Sequence, residues 1–209
     1  MTHERLLDIA IREFGLKGLE GASTRGIAAA AGTAMSSITY HYGSKEALYL
    51  AAADHIAAAM AEEMLPALAL CDPADWCNAA GARVGIHAII ARLAAKMASD
   101  SSANWSLFIL REQMNPSEAF DRIYAGMMEQ VMTRIADLTA IVTGCSPRVA
   151  RIATVTMLGQ VLAIRASRAS ILRLLSIPAL DASHADALAK QIHANTDAIL
   201  DRMTAQEPQ

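Results

Sequence analysis

The residues best equipped to do chemistry lie in one stretch, Met35-Ser36-Ser37-Ile38-Thr39-Tyr40-His41-Tyr42. It sets the hydroxyls of Ser36, Ser37, Thr39 and Tyr40, the His41 imidazole and the Met35 thioether around two anchoring positions, Ile38 and Tyr42. Ser and Thr hydroxyls bond base edges or phosphate oxygens, a Met side chain can touch a thymine methyl, and Tyr40 and His41 can donate to backbone phosphates. No Arg or Asn stands in the stretch to grip a base with two bonds, so base selectivity would lean on apolar contact, water and DNA shape.

These groups act together only if a helix presents them, and the flanking residues specify how. In Ser23-Thr24-Arg25-Gly26-Ile27-Ala28-Ala29-Ala30-Ala31-Gly32, Ser23 is placed to cap a helix, Ile27 and Ala31 turn inward, and Ala28 is small enough for a second helix to cross closely. Gly32 supplies the positive φ of a three- or four-residue turn. Ile38, six residues after Gly32, and Tyr42, one turn later, anchor the second helix from beneath. Helix, tight corner and amphipathic helix are expected, a helix-turn-helix and not merely a helical hairpin.

Charge must then be local. The chain carries 18 Lys and Arg against 21 Asp and Glu, a formal net charge of −3, which excludes a polybasic coat for nucleic acid. Residues 1–50 are balanced as well. Phosphate attraction is expected from Arg25 and Lys45, near helix starts where backbone N–H groups already favour anions, with Ser23 and Thr24 beside Arg25. For Tyr40 and His41 the ordinary role is a solvated helix end, and Lys45 could equally be a surface lysine.

Taken together, Phe14, Gly18, Arg25, Ile27-Ala28, Ala31-Gly32, Ile38, His41-Tyr42 and Ser44-Lys45-Glu46-x-Leu48 resemble the DNA-binding domain of the TetR family of one-component transcriptional regulators. The resemblance covers about 50 residues. Ala34 and Ser36 stand where the family often has Ser and Gly. The Thr39-Tyr40 pair and Gly43-Ser44-Lys45-Glu46 are similar to its CecR-like branch, as are Leu110-Arg111-Glu112-Gln113-Met114-Asn115-Pro116-x-x-Ala119-Phe120 and Gly159-Gln160-Val161-Leu162-Ala163-x-Arg165-Ala166. The resemblance implies a homodimeric repressor of a palindromic operator, released by a small molecule bound in a helical second domain.

The remaining chain can supply such a domain. With 54% apolar and 19% charged residues, 209 residues can bury a sizeable core, and i, i+3, i+4 spacing recurs almost throughout. An all-α fold of about nine helices is expected, with residues 1–46 as the DNA-binding domain and 47–209 as the regulatory one. Thr2 is a candidate first cap and Gly18 a left-handed stop. Asp72-Pro73, Asn115-Pro116 and Ser146-Pro147 each put a capping oxygen before a proline, and Asp75 and Glu118 would meet first-turn N–H groups. Helices are expected over 44–65, ended by Pro66, and over 73–98, 103–114, 117–143, 147–175 and 184–204. The last two offer long faces of small and apolar residues suited to a symmetric interface.

Candidate effector contacts are Trp105, Phe108, Arg111, Met114, Met157 and Gln160, since flexible Met and aromatic side chains suit adaptable pockets. Core filling is the commoner use of such residues, Trp76, Met127 and Met128 included, and interhelical salt bridging is an equal account of Arg111, Glu112 and Arg165. No nucleophile elbow, phosphate loop or acid/base carboxylate pair calls for catalysis. His87, His184 and His193 have no partner at metal-ligand spacing, so neither metal nor cofactor is expected. Cys71, Cys77 and Cys145 suit a reducing cytoplasm, and no export signal or membrane span is expected. A helical small-molecule binder or enzyme on the same fold, without DNA binding, is the competing expectation, and a DNA binder lacking an effector is a third.

Overall fold

The computed structural model describes residues 3–69, 78–100 and 103–206. The described residues are helical, with no strand among them: α1 (His3–Gly21), α2 (Thr24–Ala31), α3 (Met35–Tyr42), α4 (Lys45–Ala69), α5 (Ala79–Ala98), α6 (Ala103–Met114), α7 (Glu118–Ile123), a π turn (Tyr124–Met128), α8 (Glu129–Thr143), α9 (Pro147–Ala166), α10 (Arg168–Leu174) and α11 (Ala182–Gln206). Thr2, Cys71, Asp72-Pro73, Asp75, Trp76 and Cys77, for which the sequence raised expectations, lie outside the described residues.

The chain forms two compact units, residues 1–61 with 101–128, and residues 62–100 with 129–209. In the first, α1 packs on α6 and α2, and α2 on α3. Leu6, Leu7, Ala10, Ile11 and Phe14 fall on one side of α1 and are buried, as helical spacing dictates, against Ile27, Ile38, Leu48, Ile56 and Phe108. Thus α6 and α7 share a core with the N-terminal helices, whereas the sequence expectation drew its boundary at 46. Spacing assigns an inward face to each helix but not the neighbour that covers it. In the second unit α5, α8, α9 and α11 pack on one another, and α10 on α9. Their cores contribute Ile86, Ile89, Ile90, Ile135, Leu138, Met157, Val161 and Leu200.

Several helix ends depart from expectation. Gly18 has φ 74° but ψ 174°, so it interrupts α1, which resumes to Gly21. Pro66 lies inside α4 rather than ending it; a proline near a helix end removes one donor while three further residues keep helical geometry. The cap of α7 is Ser117, not Asn115: its hydroxyl accepts from Ala119 N at 3.2 Å, and the Glu112 carboxylate takes the N–H groups of Ser117 and Phe120 at 3.1 Å each. Ser146 does precede Pro147 at the start of α9, without a side-chain capping bond.

The expected 117–143 helix widens into the π turn, where a side chain on Gly126 would come within 2.9 Å of Ala57 Cβ. The expected 147–175 helix breaks at Ser167, whose φ −107° and ψ 19° leave the helical region. Among the described residues α9 alone is long and apolar enough to cross a membrane by length and composition. Ala150, Ala153, Met157, Leu158, Val161 and Ile164 of α9 are buried in the second unit.

Candidate nucleic-acid interface

The corner is built as its residues require. Ser23, extended at φ −121° and ψ 141°, caps α2 by accepting from Gly26 N at 3.0 Å. At the other end Gly32 is left-handed, with φ 65° and ψ 34°. Gly32 N donates to Ala29 O at 3.1 Å and Thr33 N to Ala28 O at 2.9 Å, the paired bonds of a Schellman stop. Nothing lies within 4 Å of where a Gly32 Cβ would stand, so the glycine is required by its backbone angle and not by crowding.

Ile38 is 1% exposed and fastens α3 to the core below. Tyr42 is half-buried; its ring stacks on His3 with centroids 5.2 Å apart, and its hydroxyl lies 3.1 Å from His3 Nε2. Burial holds the Tyr42 phenol above its ordinary pKa, so the hydroxyl keeps its proton. With Ile38 turned down, α3 exposes Met35, Ser36, Thr39, Tyr40 and His41, while Ser37 is half-buried. Tyr40 is 86% exposed, with its ring set edge-on to that of His41 at 5.2 Å between centroids. Thr39 Oγ1 donates to Met35 O at 3.3 Å, which keeps a lone pair of the hydroxyl facing outward. Ala34 gives the start of α3 no side-chain cap.

Two further helix starts carry the cationic candidates. Thr24 is half-buried and Arg25 exposed in the first turn of α2. At the start of α4, Ser44 Oγ accepts from Ala47 N at 3.0 Å, and Lys45 is half-buried in the first turn. The neighbouring Glu46 carboxyl is held below its ordinary range first by its own backbone N–H and then by Ser44. Among the described residues neither Arg25 nor Lys45 forms an ion pair. By contrast Glu13 is bound by Lys17 at 2.6 Å and Arg12 at 3.5 Å, and the Lys17 bond lowers its pKa.

The six effector candidates fall in both units. In the first, Phe108 is fully buried and stacks on Tyr49 at 4.6 Å, Trp105 is partly buried against the same core, and Met114 is 81% exposed. Arg111 donates to the carbonyls of Gly15 at 3.3 Å and Leu16 at 3.1 Å, beside the Gly18 break. In the second, Met157 is fully buried, and Gln160 Oε1 accepts from Asn195 Nδ2 at 2.8 Å. Folding also gathers residues that spacing could not. His87 of α5 meets His193 and Asp197 of α11; the i,i+4 spacing of the latter two is legible in the sequence, but His87 stands more than a hundred positions from His193.

Residues 6–52 match the family profile described as bacterial regulatory proteins, tetR family, and residues 82–203 match that of the HTH-type transcriptional dual regulator CecR, C-terminal domain. The chain is 30% identical over 203 residues to the HTH-type transcriptional dual regulator CecR of Shigella flexneri, covering 94% of this chain and 90% of that protein. In fold it is similar to AibR, solved in complex with isovaleryl coenzyme A and operator DNA (TM-score 0.69, 16% identity, covering 91% of this chain and 95% of that one). It is also similar to a TetR-family transcriptional regulator from Streptomyces coelicolor (TM-score 0.65, 16% identity, covering 96% and 94%).

Proposed function

Because the chain belongs to the TetR family of transcriptional regulators, with a DNA-binding N-terminal domain and the ligand-binding C-terminal domain of the CecR type, we propose that it is a homodimeric repressor of a palindromic operator, released by a small-molecule effector. The observation that carries this reading is the exposed row Met35, Ser36, Thr39, Tyr40 and His41, held outward by buried Ile38 and set at its angle by Gly32.

In this reading α3 enters the major groove. Met35, Ser36, Ser37 and Thr39 meet base edges, while Tyr40, His41, Lys45 and the Ser23-Thr24-Arg25 start of α2 meet phosphates. Residues 1–46 do the reading and 47–209 the regulation. Two copies place their α3 helices about 34 Å apart, one turn of the duplex. The dimer face is supported by α9, where Val149 (46%), Ile152 (58%), Val155 (60%) and Leu162 (49%) are exposed along one side. A shallow cleft of about 280 Å³ that includes Ile152, Ile199 and Met203 continues this side onto α11. Uncovered, that row would be an aggregation hazard, and a second copy of the same face would bury it.

Trp105, Phe108, Arg111 and Met114 in the first unit, and separately Met157 and Gln160 in the second, remain the proposed effector contacts, each set within its own unit. An effector in the regulatory helices would displace α4, which is covalently continuous with the DNA-reading helices, and so change the distance between the two readers. It releases DNA only by binding the non-DNA conformation more tightly. AibR was solved with isovaleryl coenzyme A and operator DNA together, so a protein of this fold holds a small molecule and its operator. We assign the protein to the cytoplasm, where operator DNA is found, with no membrane partner and no organic cofactor or reaction of its own.

The test is selection of bound sites from random double-stranded DNA by the full-length protein. Recovery of a two-fold symmetric site supports the reading. Recovery of asymmetric sites overturns the palindromic dimer, and recovery of none overturns DNA binding and favours a ligand binder on the same fold.

A further inference from the structure

His87, His193 and Asp197 each offer one ligand atom, all within 4.8 Å of one another. His87 Nε2 lies 2.9 Å from Asp197 Oδ1, and His193 Nδ1 lies 3.3 Å from Asp197 Oδ2. The two imidazoles are stacked, with centroids 3.6 Å apart and planes 8° from parallel. The other ring nitrogen of His87, Nδ1, is buried and has no hydrogen-bond partner among the described residues, so Nε2 is the nitrogen this imidazole turns toward Asp197.

We propose that these three side chains form a site for a borderline divalent transition-metal ion, zinc being the one their donor set fits. Two imidazoles and one carboxylate are three ligands, the number that leaves a fourth position open to water and makes an ion exchangeable rather than locked in. Zinc holds N and O ligands at about 2.0–2.2 Å, so neighbouring donors around it stand roughly 3.3 Å apart. The 3.3 Å between His193 Nδ1 and Asp197 Oδ2 matches that edge, and the ligand atoms of all three residues lie within 4.8 Å of one another, close enough to draw in around one ion.

The surroundings supply orientation and access. Arg83 donates from Nη1 to Asp197 Oδ1 at 2.7 Å and from Nη2 to Asp201 at 2.6 Å, which fixes the carboxylate and leaves Asp197 Oδ2 toward His193. A cleft of about 280 Å³ lined by both histidines, Ala91, Ala94 and Ala189 opens beside them and gives a hydrated ion its way in. One movement is needed. Imidazole lone pairs lie in the ring plane, so a parallel stack cannot aim both at one ion until a ring turns. His193 is the ring free to turn, with a side chain 56% exposed against 14% for His87.

The site also stands clear of the face assigned to the dimer. On α11 the buried row is Ile192, Thr196 and Leu200. His193 and Asp197 flank it toward α5, whereas Asn195 reaches Gln160 of α9 on the other flank.

The experiment is a zinc titration of the full-length protein in competition with a chromogenic chelator, with thermal unfolding followed in parallel. Expected are one zinc per chain, a raised Tm, and affinity lower by roughly tenfold or more in His87→Ala and in His193→Ala. His184→Ala, a control on α11 whose imidazole pairs with Asp181, should bind like the parent. Absence of stoichiometric zinc, equal binding by His193→Ala, or equal weakening in His184→Ala overturns the site. Since His193 is mostly exposed, its variant decides the matter even should His87→Ala fail to fold.

Discussion

Tyr49 of α4 donates its hydroxyl hydrogen to Glu112 Oε1 of α6 at 2.5 Å, both side chains being buried in the first unit. Burial, and then the carboxylate itself, hold the phenol well above its ordinary pKa. The other oxygen of Glu112 accepts from Ser117 N, Ser117 Oγ at 2.7 Å and Phe120 N. One carboxylate thus satisfies four donors and ties α4 to the start of α7. Glu112→Ala strands all of them and is expected to cost about 3 kcal/mol or more, by urea unfolding. Glu112→Gln, whose amide oxygen can still accept and whose NH2 can face the Tyr49 oxygen, should restore most of that loss. Equal losses in the two variants would show that side-chain volume, not hydrogen bonding, matters here.

Replacing Lys45 by Ala should weaken binding to every DNA sequence alike and reduce the salt slope of log K by about 1. Ser36→Ala and Thr39→Ala should instead alter which bases are preferred. A uniform loss across sequences would move those two hydroxyls from base reading to phosphate contact, and an unchanged slope would remove Lys45 from the interface.

At the corner, Gly32→Ala meets no atom, so its whole cost is the left-handed backbone, about 1–2 kcal/mol. Gly32→Asn should cost less, because Asn tolerates that region. Thermal unfolding of the three proteins would rank them Gly, Asn, Ala; an Ala variant as stable as the parent would mean the corner can re-form without positive φ.

In the second unit Glu63 of α4 is bound by Arg92 at 2.8 Å and Lys96 at 2.9 Å. The Lys96 hydrogen bond is the largest influence holding its carboxyl below the ordinary value of 4.5. A carboxyl that titrates lower when folded stabilises fully above its unfolded pKa and loses that contribution as pH falls through the folded one. Glu63→Gln is therefore expected to cost about 1 kcal/mol at neutral pH. The difference should close as pH falls below about 4. A difference that persists in acid would point to packing of the side chain rather than its charge.

What could be read from the sequence was local. The Ser23 cap and the Gly32 stop are set by bonds spanning three to five residues, and the exposed row of α3 follows from Ile38 lying one turn before Tyr42, so residue type and spacing suffice. The expected face of α3 and the all-α class rest on that short range. Whether Arg111 reaches into a cavity or onto another helix was open in the sequence, and the tertiary structure gives it the carbonyls of Gly15 and Leu16, almost a hundred positions away. His87 likewise had no visible partner until α5 packed on α11 and set it against His193. The physical reason is the same in both cases. Helical periodicity states which side of a helix is apolar, but which helix covers that side, and which polar groups then meet at its margin, depends on packing across the whole chain.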